Sequence, residues 1–182
     1  MSDRIVILSG PSGVGKSSLI SRIRERRPEV RLAVSATTRA PRPGEINGLH
    51  YHFISRETFE RNIQHGDFLE WAEVHGNLYG TPRESVETLA AQGFVILLDI
   101  DVQGFRNVRK IRPSTPAIFI APPDALSLEE RLRKRGSEDP ATLAKRLDGA
   151  RAELAAMAEY DSVIVNDDLE RAARELEHLL GV

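Results

Sequence analysis

The stretch Ile5-Val-Ile-Leu-Ser-Gly-Pro-Ser-Gly-Val-Gly-Lys-Ser-Ser-Leu-Ile20 decides the fold. Ile5–Leu8 is an unbroken apolar run, as in a strand covered on both faces. Gly10–Ser17 then fits the spacing G-x-x-x-x-G-K-[ST], and a helical pattern follows it. Strand, loop and helix in that order separate a phosphate-binding loop from a glycine-rich turn with a chance lysine. Glycines at 10, 13 and 15 let the backbone curl so that its N–H groups converge, and the helix N-terminus adds partial positive charge. Gly10, Pro11, Ser12, Gly13, Val14, Gly15, Lys16, Ser17 and Ser18 are therefore expected to cradle nucleotide phosphates. Lys16 would reach the β- and γ-phosphates and Ser17 a Mg2+ ion.

Working outward, further apolar runs at Phe94–Leu98, Ala117–Ile120 and Val163–Val165 read as buried strands, with Leu32–Val34 a weaker fifth. Helix signals lie between them. Ser127 and Glu130 form a capping-box pattern, and Thr81-Pro82 reads as a cap before a first-turn proline, with Gly93 ending that helix. Asp139-Pro140 opens another helix reaching about Ala158, and Asp167 or Asp168 caps the last one. Alternation of strand and helix predicts an α/β fold with a mainly parallel sheet. Residues 36–82 break the rhythm. They hold a helix at about Arg56–His65 and short strands around Tyr51–Phe53 and Phe68–Trp71, so they read as an inserted, mixed lobe. A second insertion, roughly 126–149, is rich in arginine and carries Gly136.

Composition narrows the function. The chain has 182 residues, 41% apolar and 29% charged, with a net charge of −2. That balance suits a globular domain and opposes a general nucleic-acid or anionic-membrane binder, which would carry a basic excess. With no cysteine, disulfides and Cys-ligated metal centres are excluded. No apolar run approaches a membrane span, and no signal peptide is evident at the N-terminus, so a cytoplasmic location is expected.

Asp99, closing the Phe94–Leu98 run, is either a turn residue or the acid that orients magnesium beside a phosphate loop. Thr37-Thr-Arg-Ala-Pro-Arg-Pro-Gly-Glu45 carries Arg39 and Arg42 on a segment that two prolines stiffen. Such forked donors suit a second phosphate, although a solvated basic loop has the same composition. Tyr51 and Tyr79 would each add a hydroxyl there, or serve the core. Glu70 lies among apolar and aromatic neighbours, and an ionised carboxylate only accepts hydrogen bonds. Guanine offers N1–H and N2–H2 side by side and adenine offers neither; the alternative is a plain strand glutamate.

The chain resembles the guanylate kinases over nearly its whole length. The resemblance rests on residues 10–18, Ser35-Ala-Thr-Thr-Arg-Ala-Pro-Arg42 followed by Gly44-Glu45, Gly48-Leu-His-Tyr51-His-Phe53, Phe68-Leu-Glu-Trp71, Gly76-Asn-Leu-Tyr79-Gly-Thr81, Leu98-Asp-Ile-Asp-Val-Gln-Gly104, Arg131–Gly136 and Val163–Asp167. It implies a phosphate-loop NTPase-type parallel core flanked by helices, with core segments 1–35, 83–125 and 150–182. A GMP-binding lobe at 36–82 and a helical lid at 126–149 would complete a single domain. The implied reaction moves the γ-phosphoryl group of ATP, with Mg2+, to GMP. By the same resemblance Ser35, Arg39, Arg42, Tyr51 and Tyr79 bind the GMP phosphate, and Glu70, Thr81 and Asp101 recognise guanine. Arg135 and Arg146 belong to the lid, Asn166 to the adenine side, and Ser17 and Asp99 to the metal. Two departures, Thr81 where serine is common and Ser18 where threonine often follows, keep a hydroxyl. A scaffold domain of this family that binds phosphopeptides would have lost the phosphate loop, which is retained here. A kinase of the same fold acting on a ribose phosphate would not need Glu70, Thr81 and Asp101 together. Zinc held by His50 and His52 lacks further ligands in the pattern. Monomer and homodimer both remain open.

Overall fold

Strand β1, Ile5–Ser9, is buried along its whole length in the computed structural model, which describes residues 4–74, 76–135 and 140–182. The chain then runs through α1 (Lys16–Arg26), β2 (Val30–Leu32), β3 (Ala36–Thr37), β4 (His52–Phe53), α2 (Arg56–His65), β5 (Phe68–Val74) and β6 (Asn77–Pro82). It continues with α3 (Arg83–Ala91), β7 (Val95–Asp99), α4 (Val102–Ile111), β8 (Ala117–Ala121), α5 (Ala125–Arg135) and α6 (Pro140–Ala155). A 3-10 turn at Met157–Glu159, β9 (Ser162–Val165) and α7 (Leu169–Leu180) close it.

Five strands in the order β2-β7-β1-β8-β9 form one parallel sheet. Alternation along each strand divides the apolar residues between its two faces. Val6, Leu8, Val95, Leu97, Ile118 and Ile120 pack beneath α1 and α7. Ile5, Ile7, Ile96, Leu98 and Phe119 face α3, α4 and Tyr160. Continuous apolar runs are what such double coverage demands. A second, four-stranded sheet of order β4-β3-β6-β5 is mixed: β3 and β4 are parallel, while β6 pairs antiparallel with β3 and β5. Its own small core holds Ala36, Phe59, Phe68 and Leu78, with Phe59 stacked on Phe68 at 4.3 Å between centroids. Helices α5 and α6 share a fourth cluster of Leu128, Leu132 and Ala150.

Several local expectations shift. The weak strand lies at Val30–Leu32 rather than Leu32–Val34, because Val30 and Leu32 pair with Val95 and Leu97 before the chain leaves for the second sheet. Helix α5 begins at Ala125, and Asp124, not Ser127, caps it: its carboxylate accepts from the Ser127 N–H at 2.7 Å and the Ser127 hydroxyl at 2.9 Å. Thr81 does not cap α3 either. It belongs to β6, its hydroxyl is committed to Glu70, and the Arg83 N–H is satisfied by the Asp67 carbonyl at 2.8 Å. Asp168 supplies the cap of α7 through the Arg171 N–H. Helix α6 ends at Ala155, and its expected opening at Asp139, like Gly136, lies outside the described residues. Strand β6 had no expectation attached, though the Gly76-Asn77 pair marks the hairpin that joins it to β5.

Candidate functional site

The phosphate loop follows β1 directly. Gly10 has φ +150°, and a Cβ there would stand 2.2 Å from the Ile120 carbonyl oxygen, so the loop can cross β8 only with glycine at this position. Gly15, at φ +101°, would drive a Cβ to 2.5 Å from the Asn166 side-chain nitrogen. The loop is braced from outside. Asn166 Nδ2 and Arg131 Nη1 both donate to the Val14 carbonyl, at 2.8 and 3.0 Å, and Arg131 Nη2 donates to the Asn166 carbonyl at 3.0 Å. Helix α1 has no side-chain cap and no acidic residue in its first turn. Its N-terminal N–H groups and dipole are therefore left for an anion.

Lys16 reaches back, its ammonium donating to the Gly10 carbonyl and lying 3.8 Å from the Asp99 carboxylate. Register explains the meeting: Asp99 closes β7 and pairs with Leu8 of β1, at the mouth of the loop. Burial pushes the Asp99 carboxyl up, and Lys16 pulls it down. Ser17 and Ser18 are exposed on the first turn of α1. Arg146 of α6 spans to the opposite side of the loop and donates to the Ser12 hydroxyl at 2.9 Å.

A second cationic site sits in the other sheet. Arg39 leaves β3 and is fixed by Glu45, which accepts from both of its terminal nitrogens at 2.9 Å. The same carboxylate accepts from the Arg42 N–H at 2.6 Å, closing the proline-stiffened loop on itself. Arg39 Nε donates to the Tyr79 hydroxyl at 3.3 Å, and the guanidinium lies 5.5 Å from the Tyr51 ring centroid. Bonding to Arg39 holds the Glu45 carboxyl below its ordinary range, whereas burial pushes the Tyr51 phenol up to about 12. Tyr51 and Tyr79 meet edge to face at 5.9 Å. The Arg42 guanidinium is exposed and makes no hydrogen bond or ion pair with a described residue. Ser35 stands just before β3, its carbonyl accepting from the His52 N–H.

Between the two sheets lies a third group. Glu70 on β5 is 6% exposed and Thr81 on β6 is fully buried. Glu70 Oε1 accepts from the Thr81 N–H at 3.1 Å and the Thr81 hydroxyl at 2.7 Å. Burial raises the Glu70 carboxyl to about 7, against the lowering effect of those bonds. Asp101 caps α4, its Oδ1 accepting from the Gly104 N–H at 2.8 Å, and burial raises its pKa as well.

The structure thus brings Lys16, Asp99, Ser12 and Arg146 to one loop, Arg39, Tyr51 and Tyr79 to a second place, and Glu70 and Thr81 to a third. The Asn166 amide, which the resemblance puts on the adenine side, is buried and donates its nitrogen to the Val14 carbonyl of the phosphate loop, because β9 ends beside that loop. The Arg135 side chain lies outside the described set. Three contributors carried no expected role. Glu45 orders Arg39, and its spacing from Arg42 on a two-proline loop is the legible signal. Arg131 braces Val14; it begins the Arg131–Gly136 stretch that carries the resemblance, but nothing local in the sequence gives it that partner. Glu153, two helical turns beyond Arg146 on α6, has its carboxyl pushed up to about 7 by burial, with Lys16 opposing and Asp101 adding to the rise.

Comparison with known proteins bears on the whole chain. A family model described as guanylate kinase matches residues 2–181. A guanylate kinase of Synechococcus sp. (strain CC9311) is 55% identical over 179 residues, covering 98% of this chain and 94% of the relative. That of Streptomyces coelicolor is 49% identical, covering 98% and 91%. The crystal structure of guanylate kinase from Anaplasma phagocytophilum superposes with a TM-score of 0.81 at 36% identity, covering 97% of this chain and 84% of that one. A shikimate kinase from Bacteroides thetaiotaomicron, at 14% identity and a TM-score of 0.52, shares the fold alone.

Proposed function

The chain belongs to the guanylate kinase family, whose members transfer a phosphoryl group from ATP to GMP, and we propose that its phosphate loop carries the donor and its 36–82 lobe the acceptor. The observation that carries the division is the pair of separate anion sites. One is the uncapped α1 N-terminus with Lys16; the other is Arg39, pre-set by Glu45 and Tyr79.

Phosphoryl transfer asks a protein mainly for alignment and charge neutralisation. Lys16 exchanges the Gly10 carbonyl for oxygens of the β- and γ-phosphates of ATP, and Arg146 and Arg135 close over them from the 126–149 lid. Arg39, Arg42, Tyr51, Tyr79 and Ser35 take the GMP phosphate. Arg39 brings its guanidinium already oriented, which lowers the entropy lost on binding. Glu70, with Thr81 fixing one of its oxygens, accepts the guanine N1–H and N2–H2, and Asp101 lies alongside at the cap of α4. Residues 1–35, 83–125 and 150–182 form the frame against which lobe and lid move.

Mg2+ binds few protein groups and keeps phosphate and water oxygens for the rest of its octahedron. The exposed Ser17 hydroxyl and the single, partly exposed Asp99 carboxylate suit that need, and no cluster of three acidic or histidine ligands occurs among the described residues. Bound there, the ion would offset charge on the phosphate oxygens. Asp99 and Ser17 would orient it, while Lys16 carries the neighbouring positive charge. Absence of a helix long and apolar enough to cross a membrane, among the described residues, fits a cytoplasmic enzyme.

A coupled assay of nucleoside diphosphate formation with GMP, AMP, UMP and CMP, each with ATP, tests the reading. Strong preference for GMP is expected. Equal rates with AMP would overturn the base assignment.

A further inference from the structure

Helix α4 belongs to the main sheet's cover, yet it is stitched to β5 of the other sheet. Asn107 Nδ2 donates to the Trp71 carbonyl at 2.9 Å, and Gln103 Nε2 donates to the Glu73 carbonyl at 3.3 Å. Between those two stitches lies Gly104, buried in the first turn of α4. It has ordinary helical dihedrals, so no backbone conformation requires glycine there. Space does. A Cβ at Gly104 would stand 2.7 Å from Glu70 Oε2, 3.1 Å from the Ile100 Cβ and 3.3 Å from Asp101 Oδ1.

Oε2 is the free end of Glu70. Its other oxygen is held by two donors from Thr81, and among the described residues Oε2 accepts no hydrogen bond. We propose that Gly104 is a specificity-determining position for the acceptor nucleotide: the side chain it lacks is the space in which Oε2 is held. This rests on Glu70 being the group that reads guanine. Glycine within a helix costs stability relative to alanine, so a packing reason is needed for it here. The hydrogen bonds from Gln103 and Asn107 prevent α4 from backing away, and Thr81 anchors Oε1. An added methyl group therefore swings the carboxylate about its Thr81 bonds and moves Oε2, because that atom ends a flexible side chain whereas the others are anchored. The depth of the base site is then set jointly by a strand of one sheet and a helix covering the other.

The experiment is Gly104→Ala in the full chain, read by unfolding and by steady-state kinetics with GMP, inosine monophosphate and ATP. Stability equal to or above the parent is expected, as is a rise of about tenfold or more in KM for GMP with KM for ATP within about twofold. The GMP to inosine monophosphate preference should narrow. Glu70→Asp withdraws the carboxylate by one methylene, so adding it to Gly104→Ala should cost less than Glu70→Asp costs alone. A purely structural glycine would instead lose stability and give additive effects. GMP kinetics within twofold of the parent, parallel losses for ATP, additivity, or an unfolded Gly104→Ala would each overturn the inference. Glu70→Gln run beside it separates the premises. If it leaves the GMP to inosine monophosphate ratio unchanged, the assignment of Glu70 fails. If it collapses the ratio and Gly104→Ala does not, only the role of Gly104 fails.

Discussion

Glu70→Gln should weaken GMP and strengthen the fold at once. Thr81 dictates how the new amide must sit. Its N–H and hydroxyl both meet Oε1, at 3.1 and 2.7 Å, so the glutamine keeps its oxygen there and places its NH2 where Oε2 was. That NH2 would face the guanine donors. One charge-assisted bond is lost and its partners are left unpaired, for about 2–4 kcal/mol, or roughly 30- to 1,000-fold in kcat/KM for GMP. Stability moves the other way. Burial lifts the Glu70 carboxyl from 4.5 to about 7, so the native state holds its proton more tightly than the unfolded chain does. The resulting penalty is absent below pH 4.5, grows as pH rises, and is complete above pH 7 at about 3 kcal/mol. A neutral glutamine escapes it. Urea unfolding at pH 8 should therefore show the variant more stable than the parent, with the gap shrinking at pH 5. Coupled kinetics with saturating ATP should show GMP losing more than inosine monophosphate, which lacks the exocyclic amine. Loss of stability at pH 8 alongside loss of GMP, or equal fractional losses for the two nucleotides, would mean that Glu70 supports the lobe without reading the base.

Lys16→Ala should leave the fold intact and cut kcat by about 100-fold or more, since its charge serves the moving phosphoryl group; activity within threefold of the parent would sink that role. Glu45→Gln should raise KM for GMP about tenfold and spare ATP, because Arg39 loses its bidentate anchor; calorimetry showing equal weakening of both nucleotides would contradict it. Glu153→Gln should stabilise the protein above pH 7, where the half-buried carboxylate of the parent is ionised, and lose that advantage toward pH 4.5; a pH-independent difference in unfolding free energy would refute the assignment. Small-angle scattering should give the most compact particle with a bisubstrate analogue, because bound phosphates neutralise the arginines of the 36–82 and 126–149 segments. An unchanged radius of gyration would argue against a large closure.

How much was legible from sequence depended on whether the cause was local. The phosphate loop could be read because strand, glycines, lysine and helix are contiguous, and the buried strands because apolar runs need cover on both faces. Helix α2 falls at Arg56–His65, as its pattern predicts, with Ser55 accepting from the Thr58 N–H. Caps were less legible. A serine followed by a glutamate looks like a capping box whether or not an aspartate three residues earlier takes the position first, as Asp124 does. Thr81 reads as a cap until Glu70, eleven residues away in sequence, claims its hydroxyl.

By itself the sequence determined the fold class, the phosphate loop and the family of which the chain is a member, since each is written in contiguous residues or in their order. Only the tertiary structure decided that Glu45 holds Arg39, that Asn166 and Arg131 brace Val14 from beneath, and that Gly104 makes room for Glu70. Arg131 lies 117 residues from Val14 along the chain, and Asn166 lies 152. No local pattern encodes such a pair; the parallel sheet does, by ending the neighbouring strands β1, β8 and β9 on one rim, where the segments that follow them must satisfy one another's polar groups.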